Sequence, residues 1–293
     1  MQIPHCQAPT WPDPIPGSRF AAGVRRDSAE GCQIALIGMP DDTGVGLNHG
    51  RLGAAEGPAA LRAAIARYGT REPAGFDWPM VFDAGDVLPA GDDINETHAR
   101  VTEAVGAVLD AGLLPVGIGG GHDLTYPFVR AVAAKQSDPM VGVYFDAHLD
   151  VRDELGSGMP FRRLVEGGHA RELYVHGSDR FANSAEHVAW FLANGGRVGG
   201  FGRNMDWPEG DLFVSLDLDV LDQAHAPGVS AMNPNGWSPM LCEQWCRAAG
   251  LCERVRCFDI MELSPPHDEG GRTARLAARM FLAFLSGFAE RSA

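Results

Sequence analysis

The sequence predicts an α/β fold in which helices cover both faces of a mostly parallel sheet. Short apolar runs alternate along the chain with segments of helical periodicity, the order that produces parallel strands joined by helices. The runs are apolar at successive positions, which is typical of strands buried on both faces. No linker, low-complexity tract or repeat interrupts the 293 residues, so we expect a single domain over 1–293 that begins with an irregular, proline-rich segment at 1–30.

In the first half of the chain, glycine and proline mark the ends of the predicted elements. We predict strands at 33–40 and 113–120 and helices at 57–69, 95–112 and 123–135. Pro58 stands at the start of the first helix and Gly69 just after its end, which are favoured positions for these residues. Gly112 ends the second helix in the same way, and the second strand runs directly into a glycine turn.

The second half contains three further apolar runs, at 141–150, 212–222 and 254–263, and a long helical segment at 272–290. The first two runs become acidic toward their carboxyl ends. Because ligands of parallel sheets bind beyond the carboxyl ends of the strands, these acidic residues mark the candidate functional site.

The composition excludes several classes of partner. Lys and Arg total 24 against 38 Asp and Glu, for a net charge of −14, which argues against nucleic acid or an anionic membrane. No run reaches the roughly 18–20 apolar residues of a membrane span, and the first residues show no basic region followed by an apolar one, so we expect a cytoplasmic protein. The cysteines near the carboxyl end fit no zinc pattern, and we expect Cys242 and Cys246 to be reduced core residues.

Two acidic clusters have the spacing of ligands that converge on one point. Asp146, His148 and Asp150 in DAHLD stand at every second position, and side chains so spaced point to one side of an extended chain. Asp217 and Asp219 in SLDLD have the same spacing. Either cluster alone has an ordinary explanation as a solvated turn.

A third cluster, GGGHD, places His122 at the start of a helix, where alone it would be a capping or core residue. Four Asp and two His at strand ends would repel one another and suffer desolvation without a cation among them. Carboxylate and imidazole without thiolate favour an ion such as Mn²⁺. Six ligands exceed the needs of one ion, so we predict two Mn²⁺ per subunit, which together activate water for hydrolysis near neutral pH.

Four blocks resemble the signature motifs of the ureohydrolase family, which includes arginase and agmatinase. They are GGGHD (119–123), DAHLD (146–150), SLDLDVLD (215–222) and DIMELSPPHD (259–268), and the resemblance extends from about residue 33 to 280. It implies a three-layer α/β/α domain, hydrolysis of C–N bonds in guanidino or formimidoyl groups at a binuclear manganese centre, and assembly into trimers or hexamers.

The resemblance also assigns the ligands. It implies one ion held by His122, Asp146, Asp150 and Asp217. The second ion would be held by His148, Asp219 and the two bridging carboxylates, those of Asp146 and Asp217.

Three further stretches resemble the formimidoylglutamase branch of the family. They are NHGRLGAAEGPAALR (48–62), GSGMPFRRL (156–164) and HAPGVSAMNPNG (225–236). Ser157 stands where agmatinases typically have His, which disfavours agmatinase. The expected reaction is hydrolysis of N-formimidoyl-L-glutamate to L-glutamate and formamide.

Two acidic residues are candidates for the chemistry itself. We expect Asp150, a predicted metal ligand, to hydrogen-bond the attacking water and pass its proton to the leaving amine. Glu262 matches the family's acidic residue in DIMELSPP, and the resemblance implies that it pairs with the cationic amidine of the substrate.

Two arginines are candidates for substrate binding. Arg152 follows Asp150 by two residues, and a guanidinium there can bind a substrate carboxylate through two hydrogen bonds. A structural ion pair to Asp153 or Glu154 is the alternative. Arg51, from another loop, is a second candidate that would serve equally well as a brace of the fold.

Two other functions stay open at this point. A guanidino-acid amidinohydrolase would release urea from substrates such as guanidinobutyrate, guanidinopropionate, arginine or agmatine. A non-catalytic relative would use the fold for binding or assembly and would have a broken ligand set, whereas all six ligand positions are intact here.

Overall fold

A computed structural model describes residues 1–69, 77–199 and 207–291 of the chain. Its centre is a sheet of nine strands within these residues. The strands, labelled β1 to β9 in chain order, are Cys6–Gln7, Ile34–Met39, Val81–Val87, Leu114–Gly119, Met140–Phe145, Ala170–His176, Gly196–Gly199, Leu212–Asp217 and Val255–Met261.

The sheet order is β1-β3-β2-β4-β9-β8-β5-β6-β7, and every pairing is parallel except that of the two-residue β1 with β3. β2, β5 and β8 are buried at every residue, because helices cover both faces of the sheet. The last strand, β9, lies between β4 and β8, so four central strands in the order β4-β9-β8-β5 present their carboxyl ends side by side.

The described residues contain eight α-helices, α1 to α8 in chain order: Thr43–Leu47, Gly57–Ile65, Ile94–Asp110, Thr125–Ala133, Pro160–Glu166, Ala185–Ala193, Pro239–Leu251 and Arg272–Phe288. One apolar core lies between the sheet and α2, α7 and α8. The other lies between the sheet and α3 to α6. The predicted three-layer α/β/α architecture with a mostly parallel sheet is therefore confirmed.

Several helix ends follow from capping residues in the sequence. α3 begins after Asp93, whose carboxylate accepts a hydrogen bond from the N–H of Glu96 at 3.0 Å. α7 begins after Ser238, which caps the N–H of Leu241, and has proline at its first position. Cys242 and Cys246 of α7 are buried free thiols, as predicted.

The predicted elements all form, but two predicted strands are too long. The runs 141–150 and 212–222 are strand only to Phe145 and Asp217, where the chain turns out of the sheet. Several elements were not predicted from the sequence: β1, β3, β6, β7, α1, α5, α6 and α7. The segments of β3, β6 and α7 mix charged or polar residues with apolar ones. No helix in the described part of the chain is both long enough and apolar enough to cross a membrane.

Candidate metal centre

The six predicted ligands lie together at the carboxyl ends of the central strands. The turn after β4 carries His122, the turn after β5 carries Asp146, His148 and Asp150, and β8 ends with Asp217, followed by Asp219. Because β4, β9, β8 and β5 are neighbours, residues from three distant parts of the sequence meet at one place.

A first group contains His122, Asp146, Asp150 and Asp217, with one ligand atom of each within 4.8 Å of the others. Nδ1 of His122 lies 2.9 Å from Oδ2 of Asp150, 3.0 Å from Oδ2 of Asp217 and 3.3 Å from Oδ2 of Asp146. All except Asp150 are buried. Three carboxylate oxygens around one imidazole nitrogen form a cage of the size that a divalent cation needs.

A second group adjoins the first and shares Asp146 with it. It contains Asp146, His148 and Asp219. Nδ1 of His148 lies 2.9 Å from Oδ2 of Asp219 and 3.5 Å from Oδ1 of Asp146. Asp217 belongs to the first group only, so the described geometry has one carboxylate common to both groups.

The local backbone differs from the extended chain that we used to predict convergence. After β5 the chain bends, and Asp150 has a positive φ of 47°. After β8, Leu218–Val220 form a 3₁₀ turn in which Oδ1 of Asp217 accepts the N–H of Asp219 at 2.8 Å. The expectation of a period-2 strand at these ligands was therefore wrong, and turns, not strands, aim them at the site.

The electrostatics of this group of side chains favour a bound cation. Among the described residues, Nδ1 of His122 and Oδ2 of Asp146 are buried without a hydrogen bond. Burial and the charges of Asp150 and Asp219 raise the pKa of Asp146 to about 6. Burial, with Asp219 and Asp146, also raises the pKa of Asp217. A cation among these groups would remove the desolvation and the repulsion together, so the residues fit the predicted metal.

A buried chain of hydrogen bonds extends from His122 on the side away from the carboxylates, and it was not predicted from the sequence. Nε2 of His122 is 3.0 Å from Oγ of Ser215, and that hydroxyl donates to Oδ1 of Asp259 at 2.5 Å. Thr125 donates to the other oxygen of Asp259 at 3.0 Å. Ser215 stands two residues before Asp217 on β8, so the strand period could have revealed it.

Glu262 follows β9 and reaches the first ligand group. Its Oε1 accepts the backbone N–H of His122 at 2.9 Å, and its buried Oε2 has no hydrogen-bond partner among the described residues. The backbone has a positive φ of 68° there. Burial raises the pKa of Glu262 to about 8, against the hydrogen bond from His122, which lowers it. A neighbouring cation would favour the carboxylate form.

A cavity of about 140 Å³ opens onto the ligands, and Glu262, Arg152 and Ser157 are among its lining residues. Arg152 is exposed, and within the described part of the chain it has no ion pair. Asp153, its proposed structural partner, lies 3.3 Å from Arg162 instead. Gly158 allows the Arg152 side chain to pack against the backbone, since a Cβ there would lie 2.8 Å from Cδ of Arg152.

Arg51 does not line this cavity. Its guanidinium donates to the backbone carbonyls of Val229 and Ser230, and the backbone N–H of Arg51 donates to the hydroxyl of Ser230. These bonds join the loop after α1 to the loop 227–231, and Gly50 and Ser230 from these two loops both line the cavity. This is the bracing geometry that the sequence analysis left open.

Comparison with known proteins identifies the family of the chain. The family model described as "Arginase family" matches residues 32–286. A formimidoylglutamase of Aromatoleum aromaticum is 35% identical over 284 residues, covering 84% of this chain and 81% of that protein. The human mitochondrial guanidino acid hydrolase is 32% identical over 284 residues, covering 88% and 79%.

Comparison of structures finds a similar enzyme. A crystal structure of Trypanosoma cruzi formiminoglutamase with Mn²⁺ superposes with a TM-score of 0.85 at 29% identity, covering 94% of this chain and 99% of that one. The family resemblance found in the sequence motifs is thereby confirmed. With the family model matched over most of its length, and with its ligand residues gathered at the carboxyl ends of the central strands, the chain belongs to the arginase family.

Proposed function

We propose that this protein hydrolyses N-formimidoyl-L-glutamate to L-glutamate and formamide with two bound Mn²⁺ ions. The observation that carries the proposal is the cavity lined by the candidate metal ligands and by Arg152, whose guanidinium has no ion pair among the residues that the structure describes. Hydrolysis of the formimidoyl group requires the metal ions that the candidate ligands would hold. The carboxylates of the substrate require a positively charged partner, which Arg152 can supply. The formimidoylglutamase relative and the formiminoglutamase fold neighbour support this choice.

We propose that the six candidate ligands divide between the two ions as the motif resemblance implies. His122, Asp146, Asp150 and Asp217 would hold the first ion, and Asp146, His148 and Asp219 would hold the second. The resemblance implies that Asp217 is shared with the second ion as well. The bound ions supply Lewis-acid activation of a water molecule.

Asp150 would transfer the proton of the attacking water, and Glu262 would bind the amidinium group of the substrate. The side chain of Asp150 is 15% exposed and lines the cavity, so its carboxylate can accept the proton of the attacking water and return it to the leaving amine. The unpartnered Oε2 of Glu262 can accept a hydrogen bond from the substrate amidinium. Water adds to the formimidoyl carbon, the C–N bond to glutamate breaks, and formamide leaves.

Arg152 would bind a carboxylate of the substrate, since it lines the same cavity and its guanidinium has no ion pair within residues 1–69, 77–199 and 207–291. For Arg51 a direct contact stays the weaker hypothesis, because its donors are already engaged with backbone oxygens. We also propose that the protein is cytoplasmic, as the sequence analysis expects, and that it forms a homo-oligomer, as the family resemblance implies. Light scattering of the purified protein tests the assembly.

Product analysis separates the two candidate reactions. The Mn²⁺-loaded enzyme is incubated with formimidoylglutamate, guanidinobutyrate, guanidinopropionate, arginine and agmatine, and formamide and urea are measured. We expect formamide from the first substrate alone. Urea from any of the others would favour a guanidino-acid hydrolase, the second candidate, for which the likeness to the human guanidino acid hydrolase is the specific support.

Metal analysis tests the binuclear site independently of turnover. Elemental analysis after reconstitution should give close to two Mn²⁺ per chain, and Asp217→Ala should remove most of this metal. Leu251→Ala, an exposed substitution on α7, is the control and should keep both ions. A single ion in the unmodified chain, with activity retained in Asp219→Ala, would contradict the binuclear site.

A further inference from the structure

The turn that carries Asp150 has a backbone conformation that is unfavourable by itself. Asp150 has a positive φ of 47°, in the left-handed region that residues with a side chain rarely adopt. A conformation of this kind persists only where the surrounding contacts hold it. Asp150 is a candidate ligand of the first ion and the candidate proton carrier, so the contacts that hold its backbone also set the position of its carboxylate.

Three hydrogen bonds hold the backbone at Leu149 and Asp150. The N–H of Leu149 donates to Oδ1 of Asn183 at 2.8 Å, and the backbone oxygen of Asp150 accepts the N–H of Phe161 in the first turn of α5 at 3.2 Å. The third bond comes from Oη of Tyr144, which donates to the backbone oxygen of Leu149 at 2.9 Å. That oxygen belongs to the peptide group that joins Leu149 to Asp150, and the angle φ of Asp150 sets the direction of its side chain relative to this group.

The side chain of Tyr144 is itself held firmly. It is fully buried, and its ring stacks on that of Phe161 with the centroids 3.7 Å apart and 21° between the planes. Phe161 in turn contacts the imidazole of His122 edge to face, with the centroids 5.3 Å apart. Leu149 is also buried, so water cannot replace the phenol at its carbonyl without a rearrangement.

We propose that Tyr144 is a positioning residue for Asp150. Within residues 1–69, 77–199 and 207–291, its hydroxyl bonds a backbone oxygen and no ligand side chain, so it acts on the carboxylate through the chain. By holding the Leu149 carbonyl it maintains the left-handed turn that directs Asp150 toward His122. This inference rests on the proposed function for the part that Asp150 takes in proton transfer.

Replacing Tyr144 by phenylalanine keeps the ring and its stack and removes only the hydroxyl. Mn²⁺ titrations by electron paramagnetic resonance are run in a His148→Ala background, so that they report the first ligand group, to which His148 does not belong. We expect Tyr144→Phe to weaken binding of this ion about tenfold, the lower end of the effect of partners that orient a ligand. In an Asp150→Ala variant the same substitution should cause no further loss, because no carboxylate is left to position.

Steady-state kinetics of enzyme that keeps His148 give a second measurement. With saturating Mn²⁺, Tyr144→Phe should lower kcat for formimidoylglutamate about tenfold and change KM less than about threefold, because Arg152 is left in place. Tyr68→Phe is the matched control, since Oη of Tyr68 donates to the backbone oxygen of Arg275 at 2.8 Å and neither residue lines the cavity at the ligands. It should lower the melting temperature of the metal-free protein and leave Mn²⁺ affinity and kcat unchanged.

The outcomes separate this inference from the proposed function. If Tyr144→Phe binds Mn²⁺ as tightly as its parent, Tyr144 has no positioning role. If it weakens Mn²⁺ binding equally with and without the Asp150 carboxylate, the loss is a general effect on the fold and the inference is overturned. If the loss disappears in Asp150→Ala, the positioning role is established, even where no variant hydrolyses formimidoylglutamate and the proposed function fails.

Discussion

Replacing Ser215 by alanine tests how the fold prepares His122 to bind a metal. Nε2 of His122, Oγ of Ser215 and Oδ1 of Asp259 form a continuous buried chain of hydrogen bonds. Since the hydroxyl donates to the carboxylate, it accepts from the N–H at Nε2. The proton is thereby held on Nε2, and the lone pair of Nδ1 faces the three carboxylates.

The expected magnitude follows from this geometry. All three side chains are at most 1% exposed, so no water can replace the missing hydroxyl without a rearrangement. Partners of this kind change metal affinity about 10- to 100-fold. We expect Ser215→Ala to weaken binding of the first Mn²⁺ about 30-fold, which corresponds to about 2 kcal/mol.

Mn²⁺ titration monitored by electron paramagnetic resonance or calorimetry measures this loss. Thr125→Val is the matched control, because Thr125 bonds the same Asp259 carboxylate but not His122. Both substitutions should lower the melting temperature of the metal-free protein, since each leaves a buried carboxylate with one partner fewer. Only Ser215→Ala should lower the metal affinity. Equal losses in the two variants, or no loss in Ser215→Ala, would refute the orienting role.

Three further predictions concern substrate binding and stability. In steady-state kinetics, Arg152→Ala should raise KM for formimidoylglutamate about 10- to 100-fold with unchanged metal content, and Arg152→Lys should recover only part of this loss. If kcat/KM of Arg152→Ala stays within about threefold of the wild type, the role of Arg152 is structural. Arg51→Met should lower the melting temperature and affect kcat and KM together for every substrate, because it releases the loop 227–231; a change confined to KM for acidic substrates would instead indicate a direct contact. Burial lowers the pKa of His176 to about 4, whereas its pKa in the unfolded chain is about 6.5. Between these two pH values the unfolded state binds more protons than the folded state, so the folded state loses stability as the pH falls from about 6.5 to about 4. Urea unfolding at pH 7 and pH 5 should show a loss about 2 kcal/mol smaller in His176→Phe than in the wild type, and equal losses would contradict the assignment.

The sequence alone determined the fold class and the candidate ligand set. Short apolar runs bounded by turns are typical of strands covered on both faces, and their alternation with helical segments favours a parallel sheet. Acids at the ends of these runs are costly without a cation, so their residue types and positions pointed to the metal before any coordinates were known. The intact motifs then pointed to the arginase family, which the matched family model confirms.

The tertiary structure decided how these residues meet. His122 and Glu262 are 140 residues apart in sequence, and they touch because β9, the last strand, inserts next to β4. The same insertion brings Asp259 to Ser215, a contact that no local pattern contains. The directions of Asp150 and Asp219 came from turns and not from the extended period, because a local spacing specifies a face only while the backbone stays extended. Strand order and turn geometry depend on packing across the whole sheet, and for that reason they could not be read from neighbouring residues.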